Sequence, residues 1–155
     1  MRIRIVAVGQ KMPAWVSEGY DEYARRIQGD CRLELVEVPM AKRGKGSTPQ
    51  LYREKEAAAI FEQLKPSDLL VALDVEGKPF STEDLCETWK KWQREGRDIV
   101  LAIGGPDGLD EEVLRRAESK LSLSRLTLPH PLVRVILAEQ LYRAWSILQG
   151  HPYHR

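Results

Sequence analysis

Two stretches of this chain carry side chains whose types and spacing could do chemistry. The first is Gly104-Gly105-Pro106-Asp107-Gly108, which follows directly on the apolar run Ile99 to Ile103. Glycines at such a point let the backbone come close to a ligand and adopt φ values that a Cβ forbids. In open parallel sheets these loops form the carboxyl edge, where ligands bind. The second is the C-terminal stretch: His130, His151 and His154 are all of the chain's histidines, and it finishes Gly150-His151-Pro152-Tyr153-His154-Arg155. Two histidines, an aromatic ring and a guanidinium around a proline make a compact kit for holding a base and a phosphate and for moving a proton. The plain alternative is a set of structural histidines on a frayed end.

Several familiar chemistries are excluded by spacing. The dinucleotide fingerprint GxGxxG is absent, the glycine loop follows a late strand, and no acidic residue ends the next strand to hold a ribose, so NAD is not expected. A Walker A loop fails because Lys45-Gly46-Ser47 lacks the GxxxxGK[ST] spacing. The stretch from Met40 to Thr48 instead concentrates Lys42, Arg43 and Lys45 with Gly44 and Gly46. It is expected to be a mobile basic finger against a nucleic-acid backbone, with an ordinary solvated loop as the alternative. Cys31 and Cys86 have no CxxC and no histidine at ligand spacing, so two buried thiols are expected and neither a disulfide nor a metal site.

The elements that must position these groups alternate along the chain. Arg2 to Val8, Cys31 to Val38, Asp68 to Val75 and Ile99 to Ile103 have the apolar content of strands, and a further short apolar run precedes Pro129-His130-Pro131. Glu76-Gly77-Lys78-Pro79 reads as a loop. Helices are expected from Pro13 to Arg26, from Pro49 to Leu64 with proline in the first turn, and from Ser81 to Gly96 with Ser81 and Asp84 as a capping box. A short one starts near Leu109, and a last one runs from Pro131 to about Gln149. This order gives the α/β class with a mostly parallel sheet. The last helix carries Val133, Leu137, Leu141, Trp145 and Leu148 on one line and Leu132, Ile136, Ala144 and Ile147 on another. One sheet covers one such face, so the second is expected against a second copy of the chain.

At 155 residues and 43% hydrophobic, the chain has the length for one domain with a sizeable core, expected to span 1–155. No apolar stretch approaches the roughly 18 residues of a membrane span, and Met1-Arg2-Ile3-Arg4 leads into a strand rather than a signal peptide, so a cytoplasmic location is expected. The formal charge of +1 is unevenly laid out: residues 1–55 carry 11 Lys and Arg against 7 Asp and Glu, residues 56–118 carry 8 against 15, and residues 119–155 carry 5 against 1. Basic ends on a shared face would meet phosphates, while charges scattered over a solvated surface would not.

Lys11-Met12-Pro13, Lys42-Arg43-Gly44-Lys45, Leu73-Asp74 with Gly77-Lys78-Pro79, Ile103 to Gly108, and above all Leu121 to Arg155 resemble the small bacterial SPOUT-class methyltransferases that methylate N3 of a pseudouridine in large-subunit ribosomal RNA. The resemblance covers the whole chain. It implies an α/β knot, with a C-terminal trefoil that is an exception to the no-knot rule, and no separate RNA-binding domain. It implies S-adenosylmethionine held by three loops: Leu73, then Gly104 with Gly105, then Leu123, Ser124, Arg125, Leu126, Thr127 and Leu128. It also implies a homodimer, in which the tail of one chain completes the pocket of the other, and 23S rRNA in the assembled ribosome as partner.

The chemistry of the residues agrees with that expectation. Leu73, Leu123, Leu126 and Leu128 can wall an adenine whose edge the loop backbone reads, or can simply be core. A uracil-type N3 must lose its proton, and His154, Glu139 and His130 are the candidate bases or anion stabilisers. Arg134 and Arg155 are candidates for holding phosphate or developing charge, and Tyr153 for stacking on the base. Two rival readings remain at this stage: a ribosome-binding factor of the same fold without catalysis, and a methyltransferase acting on transfer RNA.

Overall fold

The apolar runs become strands of one sheet in the computed structural model, which describes residues 1–154. Strands β1 (Arg2–Val8), β2 (Arg32–Val38), β3 (Leu69–Pro79), β4 (Ile99–Ile103) and β5 (Ser119–Ser122) lie in the order β2-β1-β4-β3-β5. Every pairing is parallel. A parallel sheet needs a crossover between strands, and these are supplied by α1 (Ala14–Ala24), α2 (Pro49–Glu62), α3 (Thr82–Glu95) and α4 (Glu111–Arg116). Helix α5 (His130–Leu148) and a single 3-10 turn over Pro152–His154 follow the last strand.

Every residue of β4 and all but the first of β1 are buried, because both faces of the sheet are covered. This is why these strands read as continuous apolar runs rather than alternations. On one face Ile3, Ile5, Val71 and Leu101 pack with Tyr20 of α1, Trp89 of α3, and Leu137 and Leu141 of α5. On the other, Val6, Val8, Leu70 and Val100 pack with Ala57 and Ile60 of α2 and Val113 of α4. The helix ends follow local chemistry. Ser81 and Asp84 form a reciprocal capping box on α3, and Gly96 closes that helix at φ 66°, a left-handed conformation that glycine adopts without penalty. Both cysteines are buried and free, and burial pushes the Cys31 thiol up to about 11.

One element departs from expectation. Residues 76–79 do not form a loop; β3 continues to Pro79, because β5 pairs with it twice, first as Leu73↔Leu121 and then as Lys78↔Leu121 and Pro79↔Ser122. The residues between bulge out of the ladder. Gly77 permits this, since a Cβ there would stand 2.8 Å from the backbone carbon of Lys120. Asp74 and Val75 are thereby carried past the end of the ladder to the carboxyl edge.

Helix α5 is fixed to that edge by a buried charge. Arg134 is fully buried, and its guanidinium donates to the Gly9 carbonyl at 2.8 Å and to the Glu37 carboxylate, joining α5 to the ends of β1 and β2. A carbonyl stranded in the interior costs about 1–3 kcal/mol. Arg134→Met, which keeps bulk and removes the donors, is therefore expected to destabilise the fold by about that much in urea unfolding; an unchanged midpoint would show that the contact is dispensable.

Candidate active site

The carboxyl ends of β3, β4 and β5 open into a cleft whose space, open solvent at its mouth included, is about 700 Å³. Leu73, Asp74 and Val75 line it from the β3 bulge, and Ile103, Gly104, Gly108 and Leu109 from the end of β4 and its loop. Leu121 to Ser124, Leu126 to Leu128, His130 and Val133 complete the wall.

Two of its loops are held in shape by their own backbones. The Gly108 N–H donates to the Gly105 carbonyl at 3.0 Å. A Cβ on Gly104 would lie 2.6 Å from the Gly108 carbonyl carbon, so only glycine fits where the loop folds back on itself. After β5, the Ser122 hydroxyl donates to the Ser124 carbonyl and the Leu126 N–H donates to the Ser124 hydroxyl, each at 2.9 Å. Val75 and Leu126, 57% and 74% exposed, leave apolar surface uncovered at the cleft. Among the described residues its ionisable lining groups are Asp74 and His130.

His130, at the start of α5, lies against Gly9, and its Nε2 is buried without a hydrogen-bond partner. Burial, and then the positive charge of Arg134, hold its pKa below the ordinary histidine value. The neutral ring is therefore the favoured form at pH 7, and among the described residues the cleft lining carries no lysine or arginine.

The tail forms a second cluster. The Tyr153 ring lies 4.6 Å from that of Tyr142 and 5.1 Å from the Arg143 guanidinium, and Arg143 Nε donates to Glu139 at 2.6 Å. Desolvation and then the Glu139 charge raise the Tyr153 pKa, so its hydroxyl stays protonated. The His151 N–H donates to the Ser146 carbonyl at 2.8 Å, and His154 Nδ1 is 3.1 Å from the His151 carbonyl. A carbonyl only accepts, so Nδ1–H is the donor in that contact, which in the neutral tautomer leaves Nε2 as the acceptor.

Of the residues singled out from the sequence, Leu73, Gly104, Leu123, Ser124, Leu126, Thr127, Leu128 and His130 meet in the cleft. Gly105 stands behind it, where a Cβ would come within 3.0 Å of Val8, and Arg125 points outward, exposed. Glu139, Tyr153 and His154 gather at the tail. Arg134 is enclosed in the α5 anchor, away from both solvent and phosphate. Arg155 lies outside the described residues. Tyr142, over which Tyr153 packs, is twelve residues along α5 from His130, or about 18 Å at 1.5 Å per residue. Asp74 and Val75 were not singled out as site residues from the sequence; Asp74 stood within the family-like pair Leu73-Asp74, and Val75 only beside it. Arg43 is not a free cation either, being bound to Glu56 and Asp107. Among the described residues no group of His, Cys, Asp and Glu could hold a metal ion, and no helix is long and apolar enough to cross a membrane.

A family described as "Predicted SPOUT methyltransferase" matches residues 1–154. Proteins named ribosomal RNA large subunit methyltransferase H from Hahella chejuensis and Alkalilimnicola ehrlichii are 53% and 54% identical to the chain over 155 residues, covering 100% of it and 99% of each relative. The protein of that name from Francisella philomiragia is 52% identical, with 100% of both chains covered.

The depressed His130 pKa makes stability depend on pH in one direction. Below the unfolded-state value of about 6.5 the unfolded chain takes up a proton that the folded chain resists. Stability is thus complete above pH 6.5 and is lost as the pH falls from there toward the folded value. His130→Gln is expected to flatten this slope in urea midpoints measured between pH 7.5 and 5.5; an equal slope in both proteins would contradict it.

Proposed function

The chain belongs to the SPOUT methyltransferase family, and from this we propose that it methylates N3 of a pseudouridine in 23S ribosomal RNA from S-adenosylmethionine, as a homodimer acting on the assembled ribosome. Membership in the family implies the trefoil knot, one of the rare exceptions to unknotted chains.

The cleft residues suit the cofactor. Leu73, Leu123, Leu126 and Leu128 offer apolar walls to a flat heterocycle, and the backbone groups of the two braced loops can read its edge. S-adenosylmethionine, when bound, supplies an electrophilic methyl carbon on a positively charged sulfur. A carboxylate at Asp74 and a neutral imidazole at His130 favour such a cation, where a lysine or arginine would repel it. Holding nucleophile, carbon and leaving sulfur in line is the larger part of the catalysis, and orientation of this kind supplies roughly 7–11 kcal/mol.

The observation that carries the proposal is the distance between the two clusters. The cleft sits at the start of α5 and the tail packs on Tyr142 and Arg143, about 18 Å further along the same rigid helix, so the tail of one chain serves the cleft of a second. The apolar surface of α5 leaves room for a partner: of the line expected against a second copy, Ala144 is buried within the chain while Leu132, Ile136 and Ile147 are only half-buried, and of the other line Leu137 and Leu141 are buried while Val133, Trp145 and Leu148 are half-buried. In this arrangement Tyr153 stacks on the target base, Arg143 keeps Glu139 in place, and the free Nε2 of His154 accepts the N3 proton. Arg155, next to it, is a candidate for the backbone phosphate.

Deleting Pro152 to Arg155 is expected to abolish methylation of ribosomes while leaving S-adenosylmethionine binding, measured by calorimetry, nearly intact. Normal turnover by the truncated chain would overturn the role of the tail. Gly104→Ala is expected to do the reverse at the other cluster, removing cofactor binding by forcing a Cβ into the Gly108 backbone.

A further inference from the structure

We propose that Arg43 is a positioning residue that fastens the loop after β2 to the glycine loop and so holds the cofactor cleft in its binding shape; this rests on the reading that the cleft takes S-adenosylmethionine. Arg43 Nη1 donates to the Ala41 carbonyl at 2.6 Å and to Glu56 Oε2 at 3.0 Å, and Nη2 donates to the Asp107 carboxylate. Its guanidinium lies 4.3 Å over the Tyr52 ring, whose hydroxyl accepts the Gly44 N–H at 3.0 Å. Five groups from three segments thus converge on one side chain and its loop.

The two carboxylates differ in what they fix. Glu56 is 3% exposed, sits on α2, and also accepts the Ala41 N–H at 3.0 Å, so it is a rigid base for the latch. Asp107 belongs to the glycine loop, of which Gly104, Gly108 and Leu109 are cleft wall. The glycine loop closes its own turn through the Gly108 N–H and the Gly105 carbonyl, and among the described residues the ion pair with Arg43 is the one that Asp107 makes, tying that turn to the loop after β2. The planar fork of arginine reaches both carboxylates at once, from Nη1 and from Nη2, which one ammonium on a lysine stem does not reproduce. Lys42 and Lys45, exposed on either side, take no part in the latch.

The test is calorimetric binding of S-adenosylmethionine to the full chain, with melting temperatures, for the wild type and for Arg43→Gln, Arg43→Lys, Asp107→Asn and the Arg43→Gln/Asp107→Asn double variant. Asp107→Asn leaves the Arg43 and Glu56 pair intact, and is expected to weaken binding roughly tenfold with little change in melting temperature. It should also raise KM for S-adenosylmethionine with kcat kept at saturation. Arg43→Gln weakens binding at least as much and also lowers the melting temperature, because Glu56 loses its cation; Arg43→Lys recovers only part. The double variant binds no more weakly than Arg43→Gln alone, since both substitutions open the same contact. Unchanged affinity in Asp107→Asn, or effects that multiply in the double variant, would overturn the latch. Absence of binding by the wild type, or undiminished binding by Gly104→Ala, would instead overturn the cleft as the cofactor site, and the latch with it.

Discussion

A helix of 19 residues is a rod about 28 Å long that does not fold back on itself, and the length of α5 constrains everything else in this protein. Its first turn forms part of the cleft wall and its last turns carry the tail. It is fixed to the sheet at both levels: by Arg134 on the ends of β1 and β2, and by Leu137 and Leu141 in the core. Close packing adds to this. A Cβ on Gly19 would lie 3.1 Å from the Val135 side chain, so α1 approaches α5 where there is no side chain to hold it off. A rod held at so many points keeps Tyr142, on which the tail packs, about 18 Å along its axis from His130 in the cleft.

The electrostatics of the carboxyl edge follow from where cations are permitted. Two arginines near the edge are bound inward, Arg134 to Glu37 and Gly9 and Arg43 to Glu56 and Asp107, while Arg125 is exposed. The cleft between them keeps one carboxylate and one neutral imidazole. A cation is favoured there over an anion, and Lys42 and Lys45, beside Arg43 in sequence, are exposed. The net charge of +1 conceals this division.

The parts of the fold legible in the sequence were those governed by neighbours along the chain. The central strands β1 and β4 showed as apolar runs, Ser81 and Gly96 marked the ends of α3, and Pro49 marked the start of α2, because each depends on residues a few positions away. What depended on distant partners was not legible. The continuation of β3 to Pro79 requires β5, some forty residues later, and Gly-Lys-Pro by itself reads as a turn. Arg134 reads as an exposed cation suited to phosphate, since its partners Gly9 and Glu37 lie far back in the chain. Arg43 reads as part of a mobile basic finger for the same reason. At the site, Leu73, Gly104 and the stretch 123–128 came from family resemblance joined to the glycine pattern; Asp74 stood in the same family-like pair as Leu73, and only the bulge shows it and Val75 facing the cleft.

The proposed arrangement builds each working site from two chains. Equal amounts of the Gly104→Ala chain, with a damaged cleft and a sound tail, and of the chain lacking Pro152 to Arg155, with a sound cleft and no tail, can be mixed and allowed to exchange subunits. Random exchange makes half the dimers mixed, each with one intact composite site, so methylation of ribosomes should return to roughly a quarter of the wild-type rate although neither parent is active. A mixture that stays silent after exchange has been verified would place cleft and tail in the same chain and contradict the account.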